Sequence, residues 1–197
     1  MLLFGHTGIT LGLAYGLDRV LSNKVTSSKI GAVAEKSSGF SRLASITGKI
    51  DYRLVLLGSM LPDIDKLIGI YLFGDTFDNG RIICHTLVFF LIILSIGLYR
   101  FRRYAKVGFL ALAFGVATHL IFDEMWNAPH TLFWPLDGIS FPDEDVSDFV
   151  GLIWESMTTR PKSYITEIIG LIFLIPIGIR LLAYRHVIQF FKKGTLP

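Results

Sequence analysis

The sequence predicts an all-α membrane protein, a helical bundle with about five membrane-embedded helices. Three observations predict this fold class. The 197 residues are 52% hydrophobic, which exceeds the apolar share of an ordinary soluble domain, and the apolar residues are concentrated in five stretches. Lys and Arg collect in three of the remaining segments. Histidines and carboxylates recur inside or beside the apolar stretches, where ionisable groups are costly.

Four stretches approach the roughly 20 apolar residues that a helix needs to cross a bilayer, and they cover residues 2–21, 82–99, 107–126 and 164–184. The fifth, 54–73, contains Pro62 and charged residues. It is either a short span that starts at Tyr52 and stops near Pro62, or one full broken helix. Residues 87–98 have no polar face, which argues against a soluble helical bundle. In the first stretch, glycines recur every four residues and predict close packing against another helix: Gly8, Gly12 and Gly16.

The charged residues predict the orientation of this single membrane-embedded domain, 1–197. Segments 22–53, 100–106 and 180–193 are basic, whereas 124–163 is mainly acidic. Basic loops remain in the cytoplasm, so the N-terminus is expected outside and the C-terminus in the cytoplasm. Residues 22–50 are expected to form a flexible cytoplasmic loop, and residues 127–163 an outer-face loop with interfacial aromatics.

The sequence also predicts whether the first stretch is cleaved and which molecules the chain binds. The first stretch has no basic flank and no clear cleavage site, so we expect it to be retained. The basic segments suit anionic membrane lipid, and no nucleic-acid partner is expected.

On this map six residues of metal-binding types lie at the outer side. Hydropathy sets the stretches and charge sets their direction, and neither uses the positions of these six residues. Their common depth therefore predicts a metal site, with these candidate ligands: His6, Asp63, Asp65, His85, His119 and Asp123.

The spacing within this set leaves alternatives open. His119 and Asp123 are four residues apart and share one helix face. They either bind one metal together, or Asp123 orients the imidazole, or the two form a metal-free buried hydrogen bond. Asp63 and Asp65 cannot face the same way on a regular helix. Either a break at Pro62 turns both inward, or only one is a ligand, or both end a solvated helix.

Two further residues are candidate catalytic groups. Arg81 precedes His85 by one helical turn, and a guanidinium beside a metal suits a phosphate oxygen. The alternative is an arginine that anchors the chain at the interface. His130 follows Asp123 closely and could be a further ligand or a general acid or base at the mouth of the site. His186 is expected at the opposite side, outside the site.

Three histidines with two or three aspartates suit a divalent metal, zinc above all, as one or two ions, although manganese and iron fit similar ligands. A hydrolytic metal keeps an open position for a water that loses its proton near neutral pH. A carboxylate that is not fully used in ligation can take that proton.

These motifs resemble the YdjM-type family of prokaryotic inner-membrane proteins, which are labelled membrane-bound metal-dependent hydrolases. The resemblance covers roughly residues 1–135 and rests on four motifs: His6-Thr7, Pro62-Asp63-Ile64-Asp65, His85-Thr86 and His119 with Asp123. It implies a multi-pass protein of the prokaryotic cytoplasmic membrane with a metal-dependent hydrolase activity.

A more distant likeness is to zinc-dependent phospholipase C and the P1-type nucleases. These enzymes carry an early His, an Asp followed by a His, and His-x-x-x-Asp with a Pro-His shortly after, here Pro129-His130. The likeness implies a principal zinc ion held by His85, His119, Asp123 and one of the earlier aspartates. It also implies a second zinc ion, held by His6 and Asp123. The later His and Glu for a third metal have no counterpart in this sequence.

The leading hypothesis is a membrane-bound metal-dependent hydrolase. It would act on a phosphate-ester or lipid-like substrate at the outer face through a metal-activated water. The alternatives are a non-catalytic membrane protein with a structural metal site or polar network, an ion or metal transporter, and a module that binds a partner through its basic loops.

Overall fold

A computed structural model of the protein describes residues 1–30, 48–72, 81–142 and 148–196. Within these ranges every regular element is helical, which confirms the predicted all-α fold. Two 3₁₀ turns, Ile83–His85 and Met125–Asn127, accompany eight α-helices: α1 (Leu3–Ile30), α2 (Tyr52–Leu72), α3 (Leu87–Tyr104), α4 (Gly108–Phe122), α5 (Pro129–Leu132), α6 (Phe149–Thr159), α7 (Pro161–Ala183) and α8 (Val187–Lys193).

Helix α2 differs from both predicted forms of the 54–73 stretch. It starts at Tyr52 as expected, but it continues through Pro62 to Leu72 without a stop. A proline inside a helix lacks one N–H donor and crowds the carbonyl four residues earlier. Here that earlier residue is Gly58, in the segment of α2 packed most closely on α4. Pro62 itself is fully buried.

The connecting segments contain more helix than the sequence predicts. Helix α1 continues to Ile30, so the start of the predicted 22–50 loop is helical, while residues 31–47 lie outside the described residues. The predicted outer loop 127–163 contains α5 and α6, and its last residues already belong to α7. Three of the acids used for the orientation also lie outside the described residues: Asp143, Glu144 and Asp145.

Helix α4 is the central element of the bundle. It contacts α1, α2 and α3, and seven of its residues are buried. Its 15 residues are fewer than the predicted 107–126 stretch, because Glu124 takes a left-handed backbone conformation with φ 51° and starts the second 3₁₀ turn. A helix surrounded by other helices is expected to be apolar on all sides.

Glycines allow the two closest helix crossings. A Cβ on Gly8 would overlap the Gly170 carbonyl oxygen, so α1 and α7 meet backbone to backbone. Gly58 and Gly115 do the same for α2 and α4. The predicted packing role of the α1 glycines therefore holds for Gly8, and for Gly12, which faces the Phe173 ring. Gly16 has no neighbouring atom within 4 Å of an added Cβ.

The five long helices alternate in direction, and this creates two ends. At the histidine end lie the start of α1, the second half of α2, the turn before α3 and the end of α4. At the basic end, the start of α2 and the α3–α4 connection line one surface cleft. The Arg53 guanidinium also donates a hydrogen bond to the Phe191 carbonyl in α8, the helix that follows α7. The length of α4 separates the ends by about 22 Å at 1.5 Å per residue.

Among the described residues, the bundle buries polar side chains beside its hydrophobic core and exposes large apolar ones. Its buried polar side chains include His6, Ser59, His119 and Glu167, whereas α1, α2, α3 and α7 expose large aliphatic side chains such as Leu13, Leu57, Ile92 and Ile172. Among the described residues, α7 is the helix that combines the length and apolar composition needed to cross a membrane, and α4 is apolar but shorter.

Candidate metal centre

His119 lies at the centre of the histidine end, on the last turn of α4. The close crossing at Gly115 brings the α2 backbone alongside, and the His119 Nδ1 atom lies 2.7 Å from the Ser59 carbonyl oxygen. A carbonyl only accepts hydrogen bonds, so Nδ1 donates and Nε2 carries the lone pair. This arrangement is typical of metal-binding histidines, whose second nitrogen is held by a backbone acceptor.

Asp123 follows immediately, at the C-cap of α4. Its two oxygens face different partners. The Oδ2 atom lies 3.6 Å from His119 Nε2, while Oδ1 lies 3.0 Å from His6 Nε2 and 2.9 Å from the Met1 amine. One carboxylate thus connects the start of α1 to the end of α4.

His85 enters from the 3₁₀ turn Ile83–His85. Asp65 holds this turn, because its carboxylate accepts the backbone N–H of Cys84 at 2.7 Å. On the other side, the Thr86 hydroxyl caps α3 by accepting the Phe89 N–H at 3.1 Å. The His85 ring then meets the His119 ring edge-on, with 5.4 Å between the centroids.

Asp63 completes a group of four. Its Oδ1 atom lies 3.9 Å from His119 Nε2. One ligand atom from each of Asp63, His85, His119 and Asp123 can be chosen so that all lie within 4.8 Å of one another. This buried group could hold a metal ion. Zinc bonds to nitrogen and oxygen of about 2.0–2.2 Å would place the ligand atoms roughly 3.5 Å apart, so small side-chain movements would close the group around an ion.

His6 lies beside this group. Its ring stacks on the His119 ring at 4.0 Å between centroids, with 16° between the planes. One turn further along, the Thr10 and Thr118 hydroxyls bond at 2.9 Å in the buried α1–α4 contact. His6 therefore shares Asp123 with the group of four.

The hydrogen-bonding state of the buried ring nitrogens tests whether a metal ion fits this group. Within the described residues, both nitrogens of His85, His119 Nε2 and His6 Nδ1 lack hydrogen-bond partners. The remaining nitrogen, His6 Nε2, lies 3.0 Å from Asp123 Oδ1. All three histidines are fully buried. An unsatisfied buried polar atom costs about 1–3 kcal/mol, and a bound cation would satisfy several of these atoms together. The donor set could hold a metal ion.

Glu167 on α7 is a functional residue that the sequence analysis missed. Its side chain is buried, and its carboxyl oxygens accept three backbone N–H groups from the start of α1: Leu2 at 2.9 Å, Phe4 at 2.8 Å and Gly5 at 3.0 Å. These are donors that the first helical turn leaves without partners. Glu167 thereby fixes the segment that carries His6. The available signal was its position as the one acid within the apolar stretch 164–184.

A cleft of about 440 Å³ opens beside the group of four. Asp63 and Asp123 form part of its wall, and helix α6 forms another part. Its basic side chains are Lys66, Arg81, Arg160 and Lys162. The structure thus places Arg81 next to the candidate ligands, on the side that a solute can reach.

Three residues considered in the sequence lie elsewhere. Asp65 is outside the group of four and positions the His85 turn, so α2 directs Asp63 and Asp65 to different partners. His130 on α5 is exposed and lies 2.7 Å from Asp137 Oδ2, and it is outside the residues that line the cleft. His186 precedes α8 at the basic end.

The large apolar side chains exposed on the long helices, and the length and composition of α7, fit a helical protein associated with a membrane. A family model described as YdjM inner membrane protein matches residues 1–187, so the chain belongs to the YdjM inner membrane protein family. The searches of curated proteins and of solved structures found no match.

Proposed function

We propose that this protein is a membrane-bound metal-dependent hydrolase that acts on a phosphate-ester or lipid-like substrate. One observation carries the proposal. Two aspartates and two buried histidines with unsatisfied nitrogens converge on one point, and the aspartates of this group also border an open cleft. A buried structural site needs no such opening, whereas a hydrolase needs one for its substrate and for water.

The donor set supports zinc as the metal. Asp63, His85, His119 and Asp123 would hold it, and His6 with Asp123 would hold part of a second ion. Bound there, a divalent ion would polarise a substrate oxygen and make a water acidic near neutral pH. A four-residue set matches the ligand number of a closed zinc site, so one aspartate must be a weak ligand for catalysis.

Asp63 is the better candidate for the weakly held position. Its side chain is 27% exposed, against 11% for Asp123, and its nearest ring nitrogen in the group is 3.9 Å away. A carboxylate at the border of the cleft can accept a proton from water. Arg81 lines the same cleft and can hold an anionic oxygen of the substrate.

The membrane arrangement is part of the proposal. Five long helices alternate in direction, and all five expose large aliphatic side chains. This pattern supports a multi-pass bundle with the histidine end at the outer face and the basic end at the cytoplasmic face.

Hydrolysis assays on purified protein test the proposal. Detergent-solubilised protein is stripped with chelator, reloaded with zinc and incubated with bis-p-nitrophenyl phosphate and with mixed phospholipid micelles. We expect zinc-dependent release of product from at least one of these substrates. His119→Ala should abolish turnover together with zinc content, and Arg81→Ala should lower turnover at least tenfold while zinc content is retained. His186→Ala should change neither.

The opposite outcome favours a structural metal site, which the burial of the three histidine rings between helices also supports. In that case zinc would bind and raise thermal stability, but Arg81→Ala would have no effect, and no tested phosphate ester would be turned over.

A further inference from the structure

The segment that follows α5 presents large apolar side chains at the surface. Residues 133–141, here called the apolar loop, expose 85% of Leu136, 85% of Ile139 and 42% of Phe133. Large apolar side chains that are grouped at a surface mark a contact with another protein or with membrane lipid. The apolar loop is therefore a candidate interaction surface outside the metal centre.

Contacts within the apolar loop fix its shape. The Trp134 indole N–H donates to the Ile139 carbonyl at 2.7 Å, and the Trp134 ring stacks on the Phe141 ring with 5.3 Å between the centroids. The Leu136 N–H donates to the Phe133 carbonyl at 2.8 Å and closes a turn. Leu136 and Ile139, the two most exposed side chains, are thus held at the tip of a closed loop.

The segment that leads into the apolar loop turns back against the apolar helices. Ala128 and Leu132 pack on a cluster that contains Val116 and Leu120 of α4, and Phe89 of α3 packs on the same cluster. The two α4 residues belong to the last two turns of that helix, and Phe89 belongs to the first turn of α3. The apolar loop therefore begins alongside the ends of two apolar helices.

The charge content of this region suits contact with lipid. In residues 127–142 the ionisable side chains are His130 and Asp137, and their Nδ1 and Oδ2 atoms lie 2.7 Å apart. Ionisable residues at membrane depth pair with one another in this way. The sequence changes directly after this region, because residues 143–148 contain four acids. The acidic part of the predicted outer loop thus starts only after the apolar loop ends.

The bilayer interface is the partner that these features fit. Ile92, in the second turn of α3, is 52% exposed, so the helix surface at the histidine end is apolar toward its surroundings as well. Lipid that covers this part of α3 would meet the apolar loop at the same depth. Tryptophan is enriched at membrane interfaces, and all three tryptophans of the chain lie between residues 126 and 154.

We infer that the apolar loop is inserted in the bilayer interface at the histidine end, with Leu136 and Ile139 against the upper part of the lipid acyl chains. This goes beyond an aromatic anchor at the headgroups, because the leading side chains are aliphatic. The inference uses the membrane arrangement of the proposed function, but it depends neither on a metal nor on hydrolysis. Because the loop follows the helix that carries His119, its insertion would fix the depth of the candidate metal centre below the lipid surface.

Spin labels on protein in vesicles test this inference. Leu136→Cys and Ile139→Cys are made singly in a Cys84→Ser background, labelled with a nitroxide and reconstituted at high dilution in vesicles of phosphatidylcholine and phosphatidylglycerol. Electron paramagnetic resonance then measures collisions with oxygen, which concentrates in hydrocarbon, and with a nickel chelate, which stays in water. Ile92→Cys on α3 is the lipid control. Lys24→Cys, in the part of α1 beyond its apolar stretch, is the water control.

The ratio of oxygen to nickel collisions at positions 136 and 139 should be severalfold higher than at position 24 and close to that at position 92. Circular dichroism and size-exclusion chromatography of each variant establish that it is folded.

Three results would overturn the inference. A ratio at positions 136 and 139 equal to that at position 24, with a lipid value at position 92, would place the apolar loop in water. Protection from both reagents, with spin–spin broadening that disappears on mixing with unlabelled protein, would show that a second copy of the chain covers the loop. A water value at position 92 as well would overturn the membrane arrangement itself.

Discussion

The two ends of the bundle differ in whether their polar side chains have hydrogen-bond partners. At the basic end, two partly or fully buried side chains have partners. The Arg53 guanidinium donates to both Asp51 oxygens at 2.9 and 2.7 Å and to the Phe191 carbonyl, and the Tyr52 hydroxyl donates to Asp18 at 3.0 Å. At the histidine end, fully buried ring nitrogens lack hydrogen-bond partners within the described residues.

The energetic consequences differ in the same direction. Asp51 and Arg53 are partly exposed, with 22% and 37% of their side chains accessible, so water shares in their solvation and their ion pair is worth little. The rings of His6, His85 and His119 are at 0%. Each unsatisfied nitrogen there costs about 1–3 kcal/mol. The polar groups described at the basic end are satisfied without a ligand and contribute little, whereas the unsatisfied nitrogens of the histidine end reduce stability until a ligand binds.

Of the predicted changes in stability, the substitution His85→Leu should give the largest, and it tests the difference between the two ends. In metal-free protein it removes two unsatisfied buried nitrogens, so we expect the free energy of unfolding to rise by about 2–6 kcal/mol. It should also remove the stabilisation that zinc would give the wild type at the proposed site, about 4 kcal/mol at a thousandfold excess over the dissociation constant. Thermal unfolding with and without zinc measures both effects.

The matched change at the basic end is Tyr52→Phe, which removes the hydroxyl bonded to Asp18. It should lower stability by about 1 kcal/mol and leave the zinc effect intact. If His85→Leu instead destabilises the metal-free protein, the histidines form a satisfied structural network, and the proposed metal centre loses its main support.

The sequence predicts the histidine end better than its surroundings. Hydropathy and charge bias place six ionisable residues at one depth, and four of them form the group around His119. The choice between Asp63 and Asp65 depends on the rotation of α2 about its axis and on the position of the Cys84 backbone. That backbone position is set by a tertiary contact, which a short sequence window does not encode.

The helix boundaries and the role of Glu167 also depend on tertiary contacts, which a short sequence window does not encode. Hydropathy predicts the apolar extent of a stretch, but α2 continues through Pro62 because α4 packs against it. The role of Glu167 requires the Gly8–Gly170 crossing, which brings α7 to the start of α1 across more than 160 positions of sequence. His130 follows Asp123 closely in the chain, yet the left-handed Glu124 and the following turn direct α5 away from the cleft.

The second prediction concerns Glu167, a buried carboxylate at the histidine end that accepts three backbone hydrogen bonds. Glu167→Ala leaves the N–H groups of Leu2, Phe4 and Gly5 without their acceptor, and we expect the free energy of unfolding to fall by about 2–3 kcal/mol. Glu167→Gln retains one acceptor oxygen and should lose less. Zinc affinity should fall in both variants, because the segment that carries His6 is no longer fixed.

The measurement is thermal unfolding in detergent together with zinc titration. Glu155→Gln, on the exposed side of α6, is the control and should be neutral in both assays. A Glu167→Ala variant with wild-type stability would show that the cap contributes nothing to the start of α1.

The smallest expected effect lies at the basic end and depends on pH. The hydrogen bonds from Arg53 hold the pKa of Asp51 below its usual value of 3.8. A carboxyl group whose pKa is lowered by folding stabilises the fold above its unfolded pKa, and this stabilisation is lost as the pH falls through the folded value. Asp51→Asn should therefore cost less than about 1 kcal/mol near neutral pH, and the difference from wild type should shrink steadily below pH 3.8. Denaturant unfolding at several pH values measures it, with zinc content unchanged at neutral pH. A difference that persists undiminished at low pH would mean that Asp51 acts through packing, and the contrast between a charge-stabilised end and a ligand-dependent end would then rest on the histidines alone.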